Sequence, residues 1–193
     1  MYQLLSDAVV PRPIALVSTI GPEGIPNVAP FSFFNAVCSS PPTIAFSVSR
    51  RRGELKDTLR NIQYGGEFVV NIVDDAIAEQ MNATSADFPP EISEFQTTGL
   101  TPVASDLVGA PRVGEAPVSL ECKLVQVVEI GQGPRRSALI IGEVVLFHVR
   151  DGLYLDGRID PRRLKAVGRL SGNLYCRTWE IFEMVRPVYR PGP

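Results

Sequence analysis

The sequence predicts a chain built mainly of β-strands, closed into a barrel and interrupted by a few short helices. Three observations support this fold class. Short runs of alternating apolar and polar residues recur, 16 Gly and 17 Pro supply turns between them, and only about two segments show helical spacing. Because 193 residues suffice for one sizeable core but are few for two, we expect a single domain over residues 1–193.

The amino-terminal part is predicted to be a β-meander. Residues 13–20 (PIALVSTI) form a strand, residues 21–24 (GPEG) form a turn, and a second strand begins near Asn27.

Residues 27–37 (NVAPFSFFNAV) are predicted to form one continuous extended strand, in which Asn35 shares a face with Phe31, Phe33 and Val37. The Asn35 amide is then expected among apolar neighbours, where it must find a hydrogen-bond partner. Two partners remain open: a neighbouring loop backbone, or the edge of a heterocyclic ligand.

The next strand lies within residues 40–52 (SPPTIAFSVSRRR) and has two different faces. One face is apolar, and the other carries small and hydroxyl-bearing side chains against which a flat molecule could lie. The apolar set is Ile44, Phe46 and Val48, and the small set is Ala45, Ser47 and Ser49.

A helix follows within residues 53–62 (GELKDTLRNI), because Leu55, Leu59 and Ile62 make one apolar stripe. Lys56 and Thr58 are expected to point away from that stripe or to flank it. The start of a helix attracts anions, and several cationic or hydroxyl groups are close in sequence, namely Arg50, Arg51, Arg52, Lys56 and Thr58. Two features favour an ordinary surface instead: Glu54 and Asp57 could satisfy the helix dipole, and an arginine run is often solvated.

The remaining elements follow from the same periodicities. In chain order they are a strand at 67–73, a short helix at 75–83, a long excursion at 84–116 packed over the barrel, two long strands at 118–130 and 138–149 joined as a hairpin, and a turn at 171–173 leading to a last strand.

Bulk composition excludes several classes of protein. The net charge of −2 gives no general reason to expect nucleic-acid binding. No apolar run approaches membrane-spanning length and no signal segment opens the chain, so we expect a cytoplasmic protein that does not bind membranes. The three cysteines, Cys38, Cys122 and Cys176, are far apart and form no CxxC pair. We therefore expect no disulfide framework, no metal site and no catalytic cysteine, and interpret each cysteine as a small buried apolar residue.

A set of motifs resembles the flavin reductase-like proteins, which are FMN-binding split-barrel proteins that include flavoredoxins. The motifs occur in the order typical of that family and span nearly the whole chain. They are RPIALVST (12–19), NVAPFSFFN (27–35), the Pro41–Pro42 pair, KDT (56–58), EFVVNIV (67–73), SEF (93–95) and GEVVLFHV (142–149).

The resemblance implies a split β-barrel of Greek-key type, a homodimer, and one FMN per subunit near the dimer interface. It also implies where the cofactor lies. Phe31, Ser32, Phe33 and Asn35 would border the isoalloxazine ring, Ser47, Val48, Ser49 and Arg50 would follow the ribityl chain and phosphate, and Lys56, Asp57 and Thr58 would close the phosphate end.

His148 is the only histidine in the chain. Strand alternation places it on the same face as Ile140, Val144 and Leu146. Two roles remain open: a histidine near the flavin, as the resemblance implies, or a core or rim histidine with one nitrogen satisfied. The resemblance also puts the turn at 171–173, between Arg169 and Tyr175, close to the ligand.

The favoured hypothesis is an NAD(P)H-dependent flavin oxidoreductase, in which NADH or NADPH gives hydride to bound flavin and the flavin serves a small-molecule flavin or redox-protein acceptor. No side chain is predicted to be catalytic. No GxGxxG is present, so a nicotinamide would bind in an open cleft and not in a Rossmann unit. The first alternative is an FMN-containing electron carrier without nicotinamide turnover. The second is a small barrel without flavin that uses residues 50–52 to bind a polyanion.

Overall fold

Most strands of the protein belong to one antiparallel sheet. The computed structural model describes residues 2–50 and 53–189. The helices are α1 (Tyr2–Ala8), α2 (Asp57–Gly65), α3 (Ala78–Ala83), α4 (Glu94–Thr98) and α5 (Pro161–Leu164). The strands are β1 (Arg12–Pro13), β2 (Ala15–Ile20), β3 (Pro26–Phe31), β4 (Phe34–Ser39), β5 (Pro42–Ser49), β6 (Glu67–Ile72), β7 (Pro102–Val103), β8 (Arg112–Val113), β9 (Val118–Ile130), β10 (Ser137–Val149), β11 (Tyr154–Leu155), β12 (Arg158–Ile159), β13 (Val167–Arg169) and β14 (Tyr175–Arg177).

The large sheet has seven strands in the order β3-β2-β6-β9-β10-β5-β4. Its two edge strands, β3 and β4, are separated by only Ser32 and Phe33 in the chain. Two residues can join opposite edges only if the sheet curls until those edges approach each other. The backbone N–H of Ser47 on β5 donates to the carbonyl of Phe33 at 2.8 Å, which holds this crossing in place. The predicted mainly β, barrel-like fold with a few short helices is therefore confirmed.

The core fills the inside of this curled sheet. Ile44, Phe46 and Val48 are buried, as the alternation of β5 predicts. The Phe46 ring lies between two other aromatic rings, with centroid distances of 5.3 Å to Phe31 and 5.5 Å to Phe68. These tilted and edge-on contacts are the favoured aromatic geometries, and they tie β3, β5 and β6 together.

The prediction of one continuous strand over residues 27–37 is wrong. The segment bends at Ser32 and Phe33, so the alternation is interrupted, and Asn35 is exposed and not surrounded by apolar side chains. Its Oδ1 accepts a hydrogen bond from the backbone N–H of its neighbour Ala36 at 2.9 Å. The physical reason is the crossing between sheet edges, which no local pattern encodes.

The β9–β10 hairpin contains two irregularities, one between Ile141 and Gly142 and one between Val144 and Leu146. The second irregularity leaves Val145 as an extra residue and reverses the alternation after it. His148 consequently pairs with Ser119 and lies on the face opposite to Val144, which pairs with Cys122 in the core. The predicted common face of His148 with Ile140 and Val144 is therefore wrong.

The excursion at residues 84–116 packs over the sheet, as predicted. Phe95 and Leu100 are buried in a second apolar cluster on one side of β2 and β3. Further along, Val108 and Ala110 cover Val69 on the outer face of the sheet. The outer face is thus covered at β6 and at the adjoining parts of β9 and β10.

The cysteines differ from one another in burial. Cys122 is fully buried in the core, and burial raises the pKa of its thiol to about 12. Cys176 is partly buried and Cys38 is exposed on the edge strand β4, so the prediction that all three are buried is wrong. Past β14, residues 178–189 form no helix or strand, so the last predicted strand ends at Arg177. Among the described residues, no helix combines the length and apolar character needed to cross a membrane.

We expect Gly142→Ala to destabilise the protein by about 1–3 kcal/mol, because a methyl group there would overlap the buried Phe68 ring. Urea denaturation measures the free energy of unfolding. Gly65→Ala is the matched control: its methyl group would meet no atom within 4 Å, and an alanine in the last turn of α2 should be neutral or stabilising by up to about 1 kcal/mol. Equal stabilities of the two variants would contradict this account of the core.

Candidate functional site

Two cavities meet at the end of β3. The larger one, of about 520 Å³, lies between β3, the start of α2 and residues 84–90. The smaller one, of about 380 Å³, lies between α1, the end of β3 and the turn that joins β13 to β14. Pro30 and Ser85 line both cavities, so the two are neighbours.

The start of α2 opens into the larger cavity. The helix begins at Asp57, and the preceding Lys56 makes no side-chain hydrogen bond that caps it. Lys56, Asp57 and Thr58 all line the cavity. The first N–H groups of a helix lack intrahelical acceptors, so this end of the cavity presents hydrogen-bond donors and the positive end of the helix dipole.

Thr58 flanks the apolar stripe of α2, which is one of the two orientations expected, and its side chain lies inward beside Leu59. It is 1% exposed, and its hydroxyl donates to Oδ1 of Asn27 at 2.9 Å. The hydroxyl proton is therefore already used within the protein, and only the lone pairs of this oxygen remain for other partners.

Asn27 is the centre of a buried polar network. Its Oδ1 also accepts from the hydroxyl of Thr19 at 3.3 Å, and its Nδ2 donates to Oε1 of Glu94 at 2.8 Å. The other Glu94 oxygen accepts from the backbone N–H of Val28 at 3.0 Å. Burial raises the pKa of Glu94 above its usual value despite these bonds, with the charge of Asp57 adding to the effect. The network joins β3, α2 and α4 around the larger cavity.

Lys56 connects this polar end with the aromatic core. Its Nζ lies 5.7 Å from the centroid of the Phe31 ring, within the range of a cation–π contact. Asp57, which is next in the chain, pairs with Arg60 one turn along the helix. The negative charge of Asp57 at the cavity is thereby offset.

Arg12 supports the smaller cavity as a structural residue. It is buried, and its Nη1 donates to the carbonyls of Ser6 and Val9 at 2.7 and 2.9 Å. Its Nη2 donates to the carbonyl of Leu170 at 2.8 Å and its Nε to Ser32 at 3.3 Å. The guanidinium thus joins α1, β3 and the turn after β13. The position of Arg12 in the RPIALVST motif is visible in the sequence, but its partners are not.

Arg169 lies on the opposite side of the smaller cavity. Its guanidinium carbon is 4.4 Å from the centroid of the Tyr175 ring, and it donates to the carbonyl of Gly172 at 2.5 Å. The Tyr175 hydroxyl donates to Oδ1 of Asn82 at 3.0 Å. The turn between Arg169 and Tyr175 therefore borders the smaller cavity, which Phe31 and Ser32 also line. Its closeness to a ligand stays a prediction.

Only part of the predicted cofactor set lines the two cavities. Phe31 and Ser32 line the smaller one, and residues 56–58 line the larger one. The other predicted residues line neither cavity, and they are Phe33, Asn35, Ser47, Val48, Ser49, Arg50 and His148. Among these, the Val48 side chain is completely buried in the core, which leaves only its backbone for a ligand.

Arg50 follows β5 directly and pairs with Glu129 at 2.7 Å. Its Nε is buried and has no hydrogen-bond partner in the described part of the chain. Arg51 and Arg52 lie outside the described residues. The predicted run of three arginines therefore includes one side chain that is already engaged in an ion pair.

His148 lies on the covered outer face of the sheet, with Glu121. Its Nε2 is 2.6 Å from Oε1 of the fully buried Glu121, whose two oxygens also accept from the backbone N–H groups of Asp106 and Leu107 at 2.8 and 2.7 Å. Burial alone would raise the pKa of Glu121, but these two N–H groups and the His148 ring hold it below its usual value. His148 has one nitrogen satisfied, as in the second role left open by the sequence.

The carboxylate of Asp106 completes a cluster with Glu121 and His148, whose ligand atoms lie within 4.8 Å of one another. Sequence reasoning missed this cluster, because Asp106 comes from a loop distant in the chain. Both oxygens of Glu121, on β9, accept backbone N–H groups from the loop at Asp106 and Leu107. Glu121 therefore fixes this loop to the sheet, and we call this arrangement the clamp.

Comparison with known proteins identifies the family. Residues 7–162 match the family described as flavin reductase like domain. The chain belongs to this family. It is accordingly a flavin-dependent oxidoreductase or electron carrier with the split-barrel fold.

Several solved structures resemble this chain over more than nine-tenths of its length. Nitrilotriacetate monooxygenase component B from Bacillus cereus is 42% identical, with a TM-score of 0.92 over 95% of this chain and 92% of the other. The 2-nitrobenzoate 2-nitroreductase of Pseudomonas fluorescens is 36% identical, with a TM-score of 0.88 over 99% and 92%. Flavoredoxin of Desulfovibrio vulgaris is 28% identical, with a TM-score of 0.80 over 91% of each chain.

We expect Thr58→Val to lower the free energy of unfolding by about 1–2 kcal/mol, because the buried Asn27 oxygen would lose a donor. Thr58→Ser keeps the hydroxyl and serves as the control in urea denaturation. If the valine variant matches the serine variant in stability, the Asn27 network does not depend on this bond.

We expect Glu121→Gln to destabilise the protein by about 2–3 kcal/mol at neutral pH, since an amide nitrogen would face donors that now bind a carboxylate. The lowered pKa means that this stabilisation is present above the pKa of an unfolded glutamate and is lost as the pH falls through the folded value. The stability gap between wild type and variant should therefore shrink in acid.

Glu67→Gln is the matched control for this change. Its carboxylate accepts one backbone N–H from the same loop, that of Gly109 at 2.8 Å, from a partly exposed position. Two results would contradict the role given to Glu121 in holding the loop. One is a loss of unfolding free energy for Glu121→Gln no larger than that for Glu67→Gln. The other is a difference between wild type and Glu121→Gln that grows as the pH falls.

Proposed function

We propose that the protein binds FMN and acts as a homodimeric NAD(P)H-dependent flavin oxidoreductase. One observation carries the proposal: the uncapped start of α2 opens, together with Lys56, into a cavity of about 520 Å³ next to the segment at Pro30 and Phe31. In a member of a flavin reductase-like family, this is the place best suited to a phosphorylated flavin.

The phosphate end of the cofactor fits the start of α2. The first N–H groups of a nine-residue helix and the ammonium group of Lys56 provide directed donors and positive charge. The Thr58 hydroxyl cannot donate to a phosphate while it donates to Asn27. We therefore assign the phosphate to the backbone of the first helical turn and to Lys56, with Thr58 shaping the wall of the cavity.

The ring end of the cofactor fits the bend between β3 and β4. Phe31 gives a rigid apolar floor because it is packed against Phe46, and Ser32 is held by Arg12. Ser47 is partly exposed and Ser49 is exposed, and both lie on the face of β5 opposite to Phe46. A flavin bound along this route would supply the redox chemistry, accepting hydride from NADH or NADPH and giving electrons to an acceptor.

Pairing of two copies is supported by surfaces that this subunit leaves uncovered. On the edge strand β4, residues 35–39 are all exposed, including Val37 at 58%. In the carboxyl-terminal segment, Phe182, Val185 and Val188 are each more than 80% exposed. Apolar surface of this kind is typical of a protein–protein interface. We assign it to a second copy of the chain.

The second candidate function is an FMN electron carrier without nicotinamide turnover. It is favoured by the similarity to flavoredoxin over 91% of the chain. Both functions use the same cavity and differ only in whether a nicotinamide reaches the cofactor.

Anaerobic spectroscopy tests the proposal. FMN-loaded protein should lose its absorbance at about 450 nm on mixing with NADH or NADPH. Bleaching by dithionite but by neither nicotinamide would select the carrier. Failure of the purified protein to bind added FMN would defeat both functions.

We expect Lys56→Ala to weaken FMN binding by about tenfold or more, because a charge-assisted contact to phosphate would be lost. Fluorescence titration of apoprotein with FMN and with riboflavin measures the effect, and the loss should be confined to FMN. Arg162→Ala on α5 removes a cation away from both cavities and should leave FMN affinity unchanged. An equal loss for riboflavin would show that Lys56 acts on the ring and not on the phosphate.

A further inference from the structure

The smaller cavity differs in charge from the larger one. The larger cavity has mixed charge: four carboxylates, those of Glu54, Asp57, Asp87 and Glu94, line it together with Lys56 and Arg60. Two of these carboxylates are offset within the protein, because Asp57 pairs with Arg60 and Glu94 accepts from Asn27 and Val28, so an anion is favoured there only at the first turn of α2. Among the residues that the structure describes, the smaller cavity is lined by Arg12 and Arg169 and by no carboxylate. Its walls therefore favour an anionic group.

The two arginines of the smaller cavity have different capacities to bind a ligand. Arg12 is buried and makes four hydrogen bonds to protein oxygens, so its donors are largely committed to the fold. Arg169 is partly exposed, and within the described parts of the chain, residues 2–50 and 53–189, its guanidinium donates through Nη2 alone, to the carbonyl of Gly172. A guanidinium has five N–H donors, so Arg169 retains several for an oxygen ligand.

The Arg169 side chain is also held in position. Its guanidinium stacks on the Tyr175 ring at 4.4 Å, and the Tyr175 hydroxyl is fixed by Asn82. A planar guanidinium held by stacking matches carboxylate and phosphate oxygens with little further loss of side-chain freedom.

We propose that the smaller cavity is the subsite for an anionic co-substrate that exchanges electrons with the flavin, and that Arg169 binds its phosphate or carboxylate group. The cavity shares Pro30 and Ser85 with the larger one and reaches Phe31 and Ser32, which border the assigned flavin route. A molecule held by Arg169 thus extends toward the flavin from the side away from α2. This inference rests on the proposed function, since it takes the larger cavity as the place of the FMN phosphate.

Calorimetric titration of the FMN-loaded protein tests the inference without turnover. The probes are NAD⁺ and NADP⁺, which carry phosphate and cannot reduce flavin, and benzoate, which carries a carboxylate. We expect Arg169→Ala to weaken binding of at least one probe about tenfold, with FMN affinity changed less than about twofold. Selective loss of the dinucleotides identifies a phosphate ligand, and selective loss of benzoate identifies a carboxylate ligand.

The matched control is Arg177→Ala. Arg177 also stacks on an aromatic ring, that of Trp179 at 5.7 Å, but lines neither cavity. The Arg177→Ala variant should bind the probes with the affinity of the wild type. Arg169→Lys keeps the charge without the planar fork and should give an intermediate affinity, which separates ligand binding from a folding defect.

The inference is overturned if the wild type binds none of the probes, or if Arg169→Ala binds all of them normally. It is also overturned if Arg169→Ala loses FMN instead, which would make Arg169 a flavin ligand. A wild-type protein that fails to retain FMN defeats the proposed function, whereas a normal FMN affinity with unaltered probe binding defeats the anionic subsite alone.

Discussion

The larger cavity depends on the hydrogen bonds that the buried side-chain amide of Asn27 makes. One side chain on β3 binds the hydroxyl of Thr58 at the start of α2 and the carboxylate of Glu94 at the start of α4. Each of these groups is buried, so each would cost free energy if left without its partner. Their mutual satisfaction fixes the starts of α2 and α4 against β3, and Asn27, Thr58 and Glu94 all line the larger cavity.

A second constraint comes from the way the sheet closes. Consecutive strands β3 and β4 lie on opposite edges, and the bend between them exposes Asn35 while it keeps Phe31 in the core. The extra residue at Val145 in β10 turns His148 to the outer face, where it meets Glu121. The inner face of the large sheet therefore carries the apolar core. On its outer face, the loop that contains Asp106, Val108 and Ala110 covers the region around Val69 and Glu121.

Much of the fold was predictable from local patterns, and the failures have identifiable causes. The alternation of Ile44, Phe46 and Val48 predicted their burial, and the spacing of Leu59 and Ile62 predicted the packed side of α2. The same reasoning misplaced Asn35 and His148. The bend at Ser32 and Phe33 and the bulge at Val145 each change which face of the sheet the following side chains occupy. It also missed Asn27 and Arg12, whose importance lies in partners from distant parts of the chain.

The sequence by itself determined the mainly β architecture, the approximate position of α2 and the residues around a candidate anion site, because periodicity and turn chemistry act over a few neighbouring residues. Only the tertiary structure decided which polar side chains keep hydrogen-bond donors that a ligand could use. Thr58 gives its proton to Asn27, Arg12 gives its donors to three carbonyls and a serine, and Arg169 keeps most of its own. The physical reason is that a polar side chain is committed or left open by its neighbours in space, and those neighbours are set by long-range strand pairing.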